Sequence, residues 1–486
     1  MRMIMNMLID GGWVDASNGE CTSIHNPGTG EVLDKVPKAT IQDVERAIAA
    51  AQKGKEAMRK LTAFERYSIM IRIAEAIDAR VPELGRLLAQ ENGKPIPQTR
   101  AEVAVTANIF RGFAEESKRI FGRVMPVDAV RGNERHLAIT IRQPLGVVAA
   151  IVPFNYPVEL WGHKAAAALA AGNALISKPP SACPLTLLKI AELMEEAGLP
   201  RCAHQMITGP GALIGDTLSR SPGIQLITVT GSTEVGIRIA RLAAENLKKV
   251  HMELGGNDAM IILADSDLEK AAEAVVLGRL ARGNGQICCA VKRVYVEAPI
   301  YEAFAKLLTE KAKNLKVGDQ LKEDTDVGPL INEGAAQEIE AAVNQAIKGG
   351  AKLTAGGHHR GAFMEPTVLT DIPADLPTFK EEVFGPVAPL MRFNTIDEAI
   401  RMANDSPYGL QSAVFTNDIN KAFDIAYKLE AGGVIVNWSS ALRVETLPFG
   451  GIKMSGHGRE GVHDTLEEMT DQKTIIIHNA FPSTAA

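Results

Sequence analysis

No stretch of the 486 residues is both long and apolar enough to cross a bilayer, which takes roughly 20 residues. The best candidates, Val147 to Phe154 and Ala165 to Ile176, are too short or are broken by Gly172 and Asn173. Asp10 interrupts any apolar signal core near the N-terminus, and no A-x-A cleavage site follows. A cytoplasmic protein away from the membrane is therefore expected. Cysteine is scarce: Cys21, Cys183, Cys202, Cys288 and Cys289 are an odd number, with no C-x-x-C pair. Neither a disulfide framework nor a zinc site fits, and no metal is expected. A basic excess is also missing. Lys and Arg number 52 against 58 Asp and Glu, a net charge of −6. That excludes a general nucleic-acid binder, although not a local basic pocket.

What is present is ordinary globular material, 46% hydrophobic and 23% charged, which argues against disorder and coiled coil. The length implies about three domains, or two large ones. Strand-like and helix-like runs alternate. Thr40 and Asp43 form a capping box ahead of Val44, Ala47, Ile48 and Ala51 at helical spacing. Strands are expected at Gly146 to Val152, Asn173 to Ser177, Gln225 to Thr230 and Lys249 to Leu254. A helix carrying Val235, Ile239 and Leu242 follows Gly231, and Asp265 is expected to cap a helix from about Asp267. This alternation predicts an α/β protein with parallel sheets. Two extended stretches do not fit it: residues 123–143, and the run Lys473 to His478. Both need a partner outside the main sheets. Oligomerisation is the economical explanation, and an edge pairing within one chain is the alternative.

Chemistry is concentrated at strand ends. In Gly285-Gln286-Ile287-Cys288-Cys289, two cysteines follow the loop Arg282-Gly283-Asn284. A thiol is strongly nucleophilic once ionised, but it needs a base or stabilising donors. Alone, such a pair is more often buried and inert. Glu253 ends an apolar strand just before Gly255-Gly256, where a carboxylate can act as a general base. A structural ion pair with a lysine is the other reading. Asn155, in Pro153-Phe154-Asn155-Tyr156-Pro157, can donate to an oxyanion or simply form a turn. Gly231-Ser232-Thr233-Glu234-Val235-Gly236 opens a helix and suits a pyrophosphate, although it is neither G-x-G-x-x-G nor a Walker A loop. Lys178 and Glu382 are placed to reach ribose hydroxyls.

In this order the pieces resemble the NAD(P)-dependent aldehyde dehydrogenase superfamily, from Ile9-Asp10-Gly11-Gly12-Trp13-Val14 to the last strand. The specific motifs are Glu253-Leu254-Gly255-Gly256, Gly285-Gln286-x-Cys288, Glu382-Val383-Phe384-Gly385-Pro386 and Pro448-Phe449-Gly450-Gly451-x-Lys453-x-Ser455-Gly456. The region Asn437 to Pro448 resembles a subgroup acting on small polar aldehydes such as lactaldehyde, phosphonoacetaldehyde or glyceraldehyde 3-phosphate.

The resemblance implies an aldehyde dehydrogenase-like fold: two parallel-sheet α/β domains and a small β oligomerisation domain. It places the NAD(P)-binding domain at 1–122 and 144–254, and the catalytic domain at 255–460. The oligomerisation segments fall at 123–143 and 461–486. A homodimer or homotetramer is the implied assembly. Cys288 matches the nucleophile, Glu253 the general base and Asn155 the oxyanion donor, with Cys289 a bystander. Cofactor contacts are implied at Val152, Pro153, Phe154, Lys178, Ser181 and Gly209. Further contacts are implied at Gly231, Ser232, Val235, Leu254, Glu382 and Phe384. Phe154 stands where many members carry tryptophan. NAD and NADP are both expected, because Ser181 takes a position often held by a glutamate that repels a 2′-phosphate, and no arginine is evident nearby. His163, Tyr156, Arg443 and Phe449 are the candidate substrate contacts, with Arg443 either reading an anionic aldehyde or pairing with a carboxylate. The implied activity is oxidation of a small polar aldehyde to its carboxylate through a cysteine thioester hydrolysed by water. The alternatives are a CoA-acylating relative, which usually lacks the glutamate present here as Glu253, a thiol esterase without redox chemistry, and a non-catalytic member of the fold.

Overall fold

A computed structural model describes residues 5–482. The first four residues of the segment assigned to cofactor binding, and the last four of the C-terminal segment, lie outside the described residues. The four strands expected from sequence lie side by side within an eight-stranded sheet ordered Gly12–Val14, Met7–Ile9, His204–Met206, Ala174–Lys178, Val147–Ile151, Leu226–Thr230, Lys249–Glu253, Gly456–His457. The five from His204–Met206 to Lys249–Glu253 run parallel; the edges are antiparallel. Helices cover both faces, so Val147, Val148, Ala149 and Ala150 are wholly buried. This burial explains why the strands read as unbroken apolar runs. On one face Trp161 packs against Phe110 at 5.8 Å; on the other, Val44 and Ala47 pack with Ile176 and Ile227.

The chain leaves Val147–Ile151 in one direction, through Ala174–Lys178 to His204–Met206, and then crosses back to Leu226–Thr230 on the other side. The strand order therefore reverses between Val147–Ile151 and Leu226–Thr230. A crevice opens at the carboxyl ends of strands at such a reversal. The second sheet is ordered Lys352–Ala355, Thr367–Thr370, Val387–Phe393, Val291–Glu297, Asp258–Ile262, Gln411–Phe415, Gly433–Val436. It is parallel except at its first pair.

Local signals hold where the partners are near in sequence. Thr40 and Asp43 make both bonds of the capping box on the helix Ile41–Lys60. Asp265, however, does not cap. Asp267 caps Leu268–Val275, while Asp265 accepts hydrogen bonds from Thr416 Oγ1 at 2.8 Å and Asn417 N at 3.2 Å. A tertiary partner thus displaced the local one. The domain outline also shifts, because Gly456–His457 joins the first sheet from within the segment 255–460. The helix Val462–Glu468 packs on Ile96–Ser117 and Pro157–Ala170, so the extended part of the C-terminal segment begins only at Thr470.

The two unplaced stretches find each other. Thr470–Ile477 pairs antiparallel with Leu137–Pro144 along its whole length, and Arg123–Met125 adds a third strand. The alternative of an edge pairing within one chain is what the fold adopts. Ile475, Ile476, Ile477 and Val124 remain exposed on this small sheet. Among the described residues, no helix is long and apolar enough to cross a membrane.

Candidate active site

The crevice at the strand reversal holds a cavity of about 490 Å³. Ile151 and Thr230 end two of its strands, and Lys178 ends a third. Of the residues implied for cofactor binding, Val152, Pro153, Phe154, Lys178, Gly231, Ser232, Val235, Leu254, Glu382 and Phe384 line it together with Asn155 and Cys288. The helix Thr233–Ala244 points its N-terminus here, capped by Ser232, whose Oγ accepts from Val235 N at 3.4 Å. Unpaired amides and the helix dipole at that end favour an anion. Phe154 and Phe384 meet edge to face at 5.8 Å across the cleft.

Cys288 reaches the cleft through a tightly wound loop. Gly283, Asn284 and Gly285 all have positive φ, at 59°, 55° and 74°. A Cβ on Gly285 would stand 2.4 Å from Pro386 N, so this close approach requires glycine. Asn284 tolerates the left-handed conformation because its side chain is fully bonded. Its Nδ2 donates to Gly93 O and Pro329 O, and its Oδ1 accepts from Gly328 N. Cys288 is half-buried and lines the cavity, whereas Cys289 is buried in the apolar core. One thiol of the pair thus faces the cleft.

Asn155 Nδ2 donates to Gln286 O at 2.9 Å, which ties the asparagine to the cysteine loop and leaves its second N–H without a partner among the described residues. Both Glu253 carboxylate oxygens are buried without a hydrogen-bond partner among the described residues. Burial, and then the charge of Glu460, push its pKa up to about 7. A hydrogen bond with Cys289, burial and the Glu253 carboxylate hold the Cys288 thiol well above its ordinary value. The Glu253 carboxylate is thus the charge that stands beside this thiol.

A second cavity, of about 610 Å³, is lined by Tyr156, Glu159, Gly278, Arg282, Trp438, Ser439 and Leu442, among others. Asn155 lines the first cavity and its neighbour Tyr156 the second. The Tyr156 hydroxyl is buried and faces the Arg282 guanidinium, which leaves its own O–H to donate. Arg282 Cζ lies 5.6 Å from the Tyr156 ring centroid, and Arg282 Nη1 donates to Ala441 O at 3.1 Å. Four carboxylates line this wall: Glu102 is answered by Lys94 and Glu323 by Arg100 at 2.7 Å, while Asp326 accepts from Lys316 N at 2.8 Å and the Glu159 charge acts on Arg282.

Comparison with known proteins bears directly on this arrangement. The model of the aldehyde dehydrogenase family matches residues 13–475. The chain belongs to this family. It is 41% identical to a 3-sulfolactaldehyde dehydrogenase of Priestia aryabhattai over 473 residues, 97% of this chain and 98% of that protein. It is 38% identical to the succinate-semialdehyde dehydrogenase [NADP(+)] of Escherichia coli, covering 97% of each. An NAD+ complex of an aldehyde dehydrogenase from Bacillus cereus superposes with a TM-score of 0.94 at 35% identity, covering 97% of this chain and 96% of that one.

This aldehyde dehydrogenase is an NAD(P)-dependent oxidoreductase, and its first cavity fits the dinucleotide. The Thr230 hydroxyl is buried on the cavity wall without a partner among the described residues. A Cβ added at Gly231 would meet no atom within 4 Å, so the backbone faces open cleft beside the helix N-terminus. Lys178 Nζ is buried, which lowers its pKa to about 8, and donates to Ser181 Oγ at 3.0 Å. Glu382 Oε1 accepts from Lys292 Nζ at 2.9 Å and from Gly256 N at 3.2 Å, while Oε2 makes no such bond among the described residues and is the oxygen left to meet a ribose.

Some expected contacts fall elsewhere. Ser181 and Gly209 are not among the residues lining the cavity; the exposed Ser181 accepts from the cavity-lining Lys178 Nζ at 3.0 Å and donates to Gly209 O at 2.9 Å. Of the four candidate substrate contacts, only Tyr156 lines the second cavity. His163 is fully buried with both ring nitrogens unpartnered among the described residues. Burial, and then the Arg443 charge, hold it neutral, which removes it as a cation. Arg443 Nη2 donates to Glu460 at 2.7 Å, and its guanidinium stacks on Phe449 at 4.5 Å. Lys164 donates to the other Glu460 oxygen at 2.6 Å. Against burial, Lys164 and Arg443 hold Glu460 well below the usual carboxylate range. The absence of an arginine near the cofactor also needs correction: Arg238 lines the first cavity, bound to Asp216 at 2.6 Å and 2.9 Å. Arg238 and Ile239 follow the cavity-lining Val235 by three and four residues on the same helix, a same-face spacing that carries the signal in the sequence.

Proposed function

We propose that Cys288 is the nucleophile, Asn155 the oxyanion donor and Glu253 the general base of this aldehyde dehydrogenase. The Cys288 thiolate attacks the aldehyde carbon, and the second N–H of Asn155 and the Cys288 amide donate to the oxygen that becomes charged. Bound NAD(P)+ supplies the hydride acceptor. The thioester left on Cys288 is then hydrolysed by water from which Glu253 takes a proton, releasing the carboxylate. The unpartnered Glu253 carboxylate beside Cys288 favours water over an exogenous thiol as acyl acceptor.

The substrate we infer is a short aldehyde whose far end carries a hydroxyl, carboxylate or sulfonate group. One observation carries this reading: the Arg282 guanidinium and the buried Tyr156 hydroxyl face each other on the second cavity. The guanidinium suits a planar anion, and the phenol donates one further bond. The named relatives above, for sulfolactaldehyde and succinate semialdehyde, fit this class. Arg282→Met is expected to lower kcat/KM for succinate semialdehyde by roughly 10- to 150-fold, from the 1.5–3 kcal/mol of a charge-assisted hydrogen bond. Propanal turnover should fall much less. Equal losses on both would remove Arg282 as the substrate anchor.

The exposed isoleucines of Thr470–Ile477 support assembly through the small sheet as a homodimer or homotetramer. Sedimentation at varied concentration tests the assembly: a monomer throughout would exclude it.

A further inference from the structure

The loop carrying Asn155 is held from behind by a buried lysine. The helix Val81–Asn92 stops at Gly93, whose φ is +92°. A Cβ there would lie 2.4 Å from Pro329 O, so only glycine makes this turn. The turn sends Lys94 into the interior, where it is 1% exposed. An ammonium has three N–H donors. One meets the Glu102 carboxylate. A second donates to the backbone oxygen of Asn155 at 2.6 Å. The ammonium also lies 3.8 Å from the centroid of the Tyr156 ring.

The neighbours of Lys94 extend the same bracket. Asn92 Nδ2 donates to Phe154 O at 2.6 Å, so two successive carbonyls of the Asn155 loop are fixed from one turn. Glu102 accepts from Val158 N at 2.9 Å and Glu159 N at 3.3 Å, which secures the start of the helix that follows the loop. Gly93 O accepts from Asn284 Nδ2 at 3.1 Å, in the loop that delivers Cys288. The oxyanion donor and the nucleophile, 133 positions apart in sequence by their numbers (288 − 155), are therefore both registered on residues 92–94.

Burying an ammonium and a carboxylate together is costly, and an apolar pair of similar volume fills such space as well or better. What an apolar pair does not supply is a directional donor to a backbone carbonyl. We propose that Lys94 is a positioning residue for the reaction: through the Asn155 carbonyl it aims the Asn155 carboxamide at the oxygen of the adduct on Cys288. The proposal rests on the reading of Asn155 as oxyanion donor. Lys94 touches no reacting atom. Its effect is to narrow the range of orientations of a group that does, and misplacement by about 1 Å costs on the order of 10²-fold in rate.

The test is a double-mutant cycle read by rapid mixing of the full-length enzyme with NAD(P)+ and aldehyde. Lys94→Met is expected to slow the first burst of reduced cofactor by about 10- to 100-fold. Burst amplitude and cofactor affinity should stay near native. Asn155→Ala should slow the burst by roughly 10²- to 10³-fold. In that background Lys94→Met should add less than about twofold, because the group it aims is gone. A merely structural lysine would reduce the amplitude and the Tm and leave the burst rate constant alone; that result overturns the proposal. Losses that multiply in the double variant overturn it too. If Asn155→Ala is slow and Lys94→Met is native, only the proposal fails. If Asn155→Ala is itself native, the reading of Asn155 fails and the proposal with it. Lys94→Gln keeps an N–H donor and should give an intermediate burst. Where Lys94→Met does not fold, the same cycle is run with Lys94→Gln, and a native burst there overturns the proposal.

Discussion

Arg443 and Glu460 form a buried ion pair at 2.7 Å, and Lys164 holds the other oxygen of the same carboxylate. The Arg443 side chain is 9% exposed and that of Glu460 1%. Sequence position alone put Arg443 at the substrate entrance, but a carboxylate 17 residues further on already occupies its fork. The group of Glu460, Lys164 and Arg443 also lies close enough to Glu253 to shift its titration.

Removing Arg443 should therefore act on the fold and on Glu253 rather than on substrate choice. Arg443→Ala is expected to cost on the order of 3–5 kcal/mol of stability, as when one partner of a buried pair is deleted. Denaturant unfolding measures this. Turnover of propanal and of succinate semialdehyde should drop by similar factors. A loss confined to the anionic aldehyde would mean that Arg443 reads the substrate.

The Glu253 carboxyl, raised to about 7 by burial and by Glu460, predicts a pH profile. A general base works only when ionised. Thioester hydrolysis should rise with pH through about 7 and level off above it. In Glu253→Gln the residual hydrolysis should be roughly 10²- to 10⁴-fold slower and lose that inflection. Single-turnover release of carboxylate as a function of pH checks both. An inflection that survives the substitution belongs to another group.

Lys178 has the opposite sign. Its pKa is lowered to about 8 by burial, so the free enzyme loses this charge as pH rises through 8. Cofactor affinity should weaken over the same interval, and Lys178→Met should flatten the dependence. Fluorescence titration with reduced cofactor provides the measurement. A pH-independent Kd in the native enzyme would place Lys178 outside the cofactor contacts.

How much was legible in the chain follows from the range of each signal. The parallel strands were readable because burial on both faces makes them continuous apolar runs, as in Val147–Ile151 and Leu226–Thr230. The Thr40–Asp43 box was readable because both partners lie within one turn. The Asp265 cap was misplaced because its actual partner, Thr416, lies 151 residues away. Lys94, Arg282 and Glu460 carried no local signature, since each is defined by what the fold brings to it. The motif around Cys288 named the loop, and only the three-dimensional register shows that Cys288 faces the cleft while Cys289 turns into the core.

That register predicts that Cys289→Ala keeps most of the dehydrogenase activity and Cys288→Ala keeps none, measured as reduced-cofactor formation. The reverse result would put the nucleophile one residue later.

The central claim is a thioester on Cys288 that Glu253 helps water to remove. The most direct measurement is mass spectrometry of Glu253→Gln quenched within the burst, after mixing with NAD(P)+ and an aldehyde. The account predicts an added acyl mass on the peptide containing Cys288, lost on treatment with hydroxylamine and absent in Glu253→Gln combined with Cys288→Ala. An acyl mass that persists without Cys288, or a full burst of reduced cofactor with no covalent adduct, would contradict it.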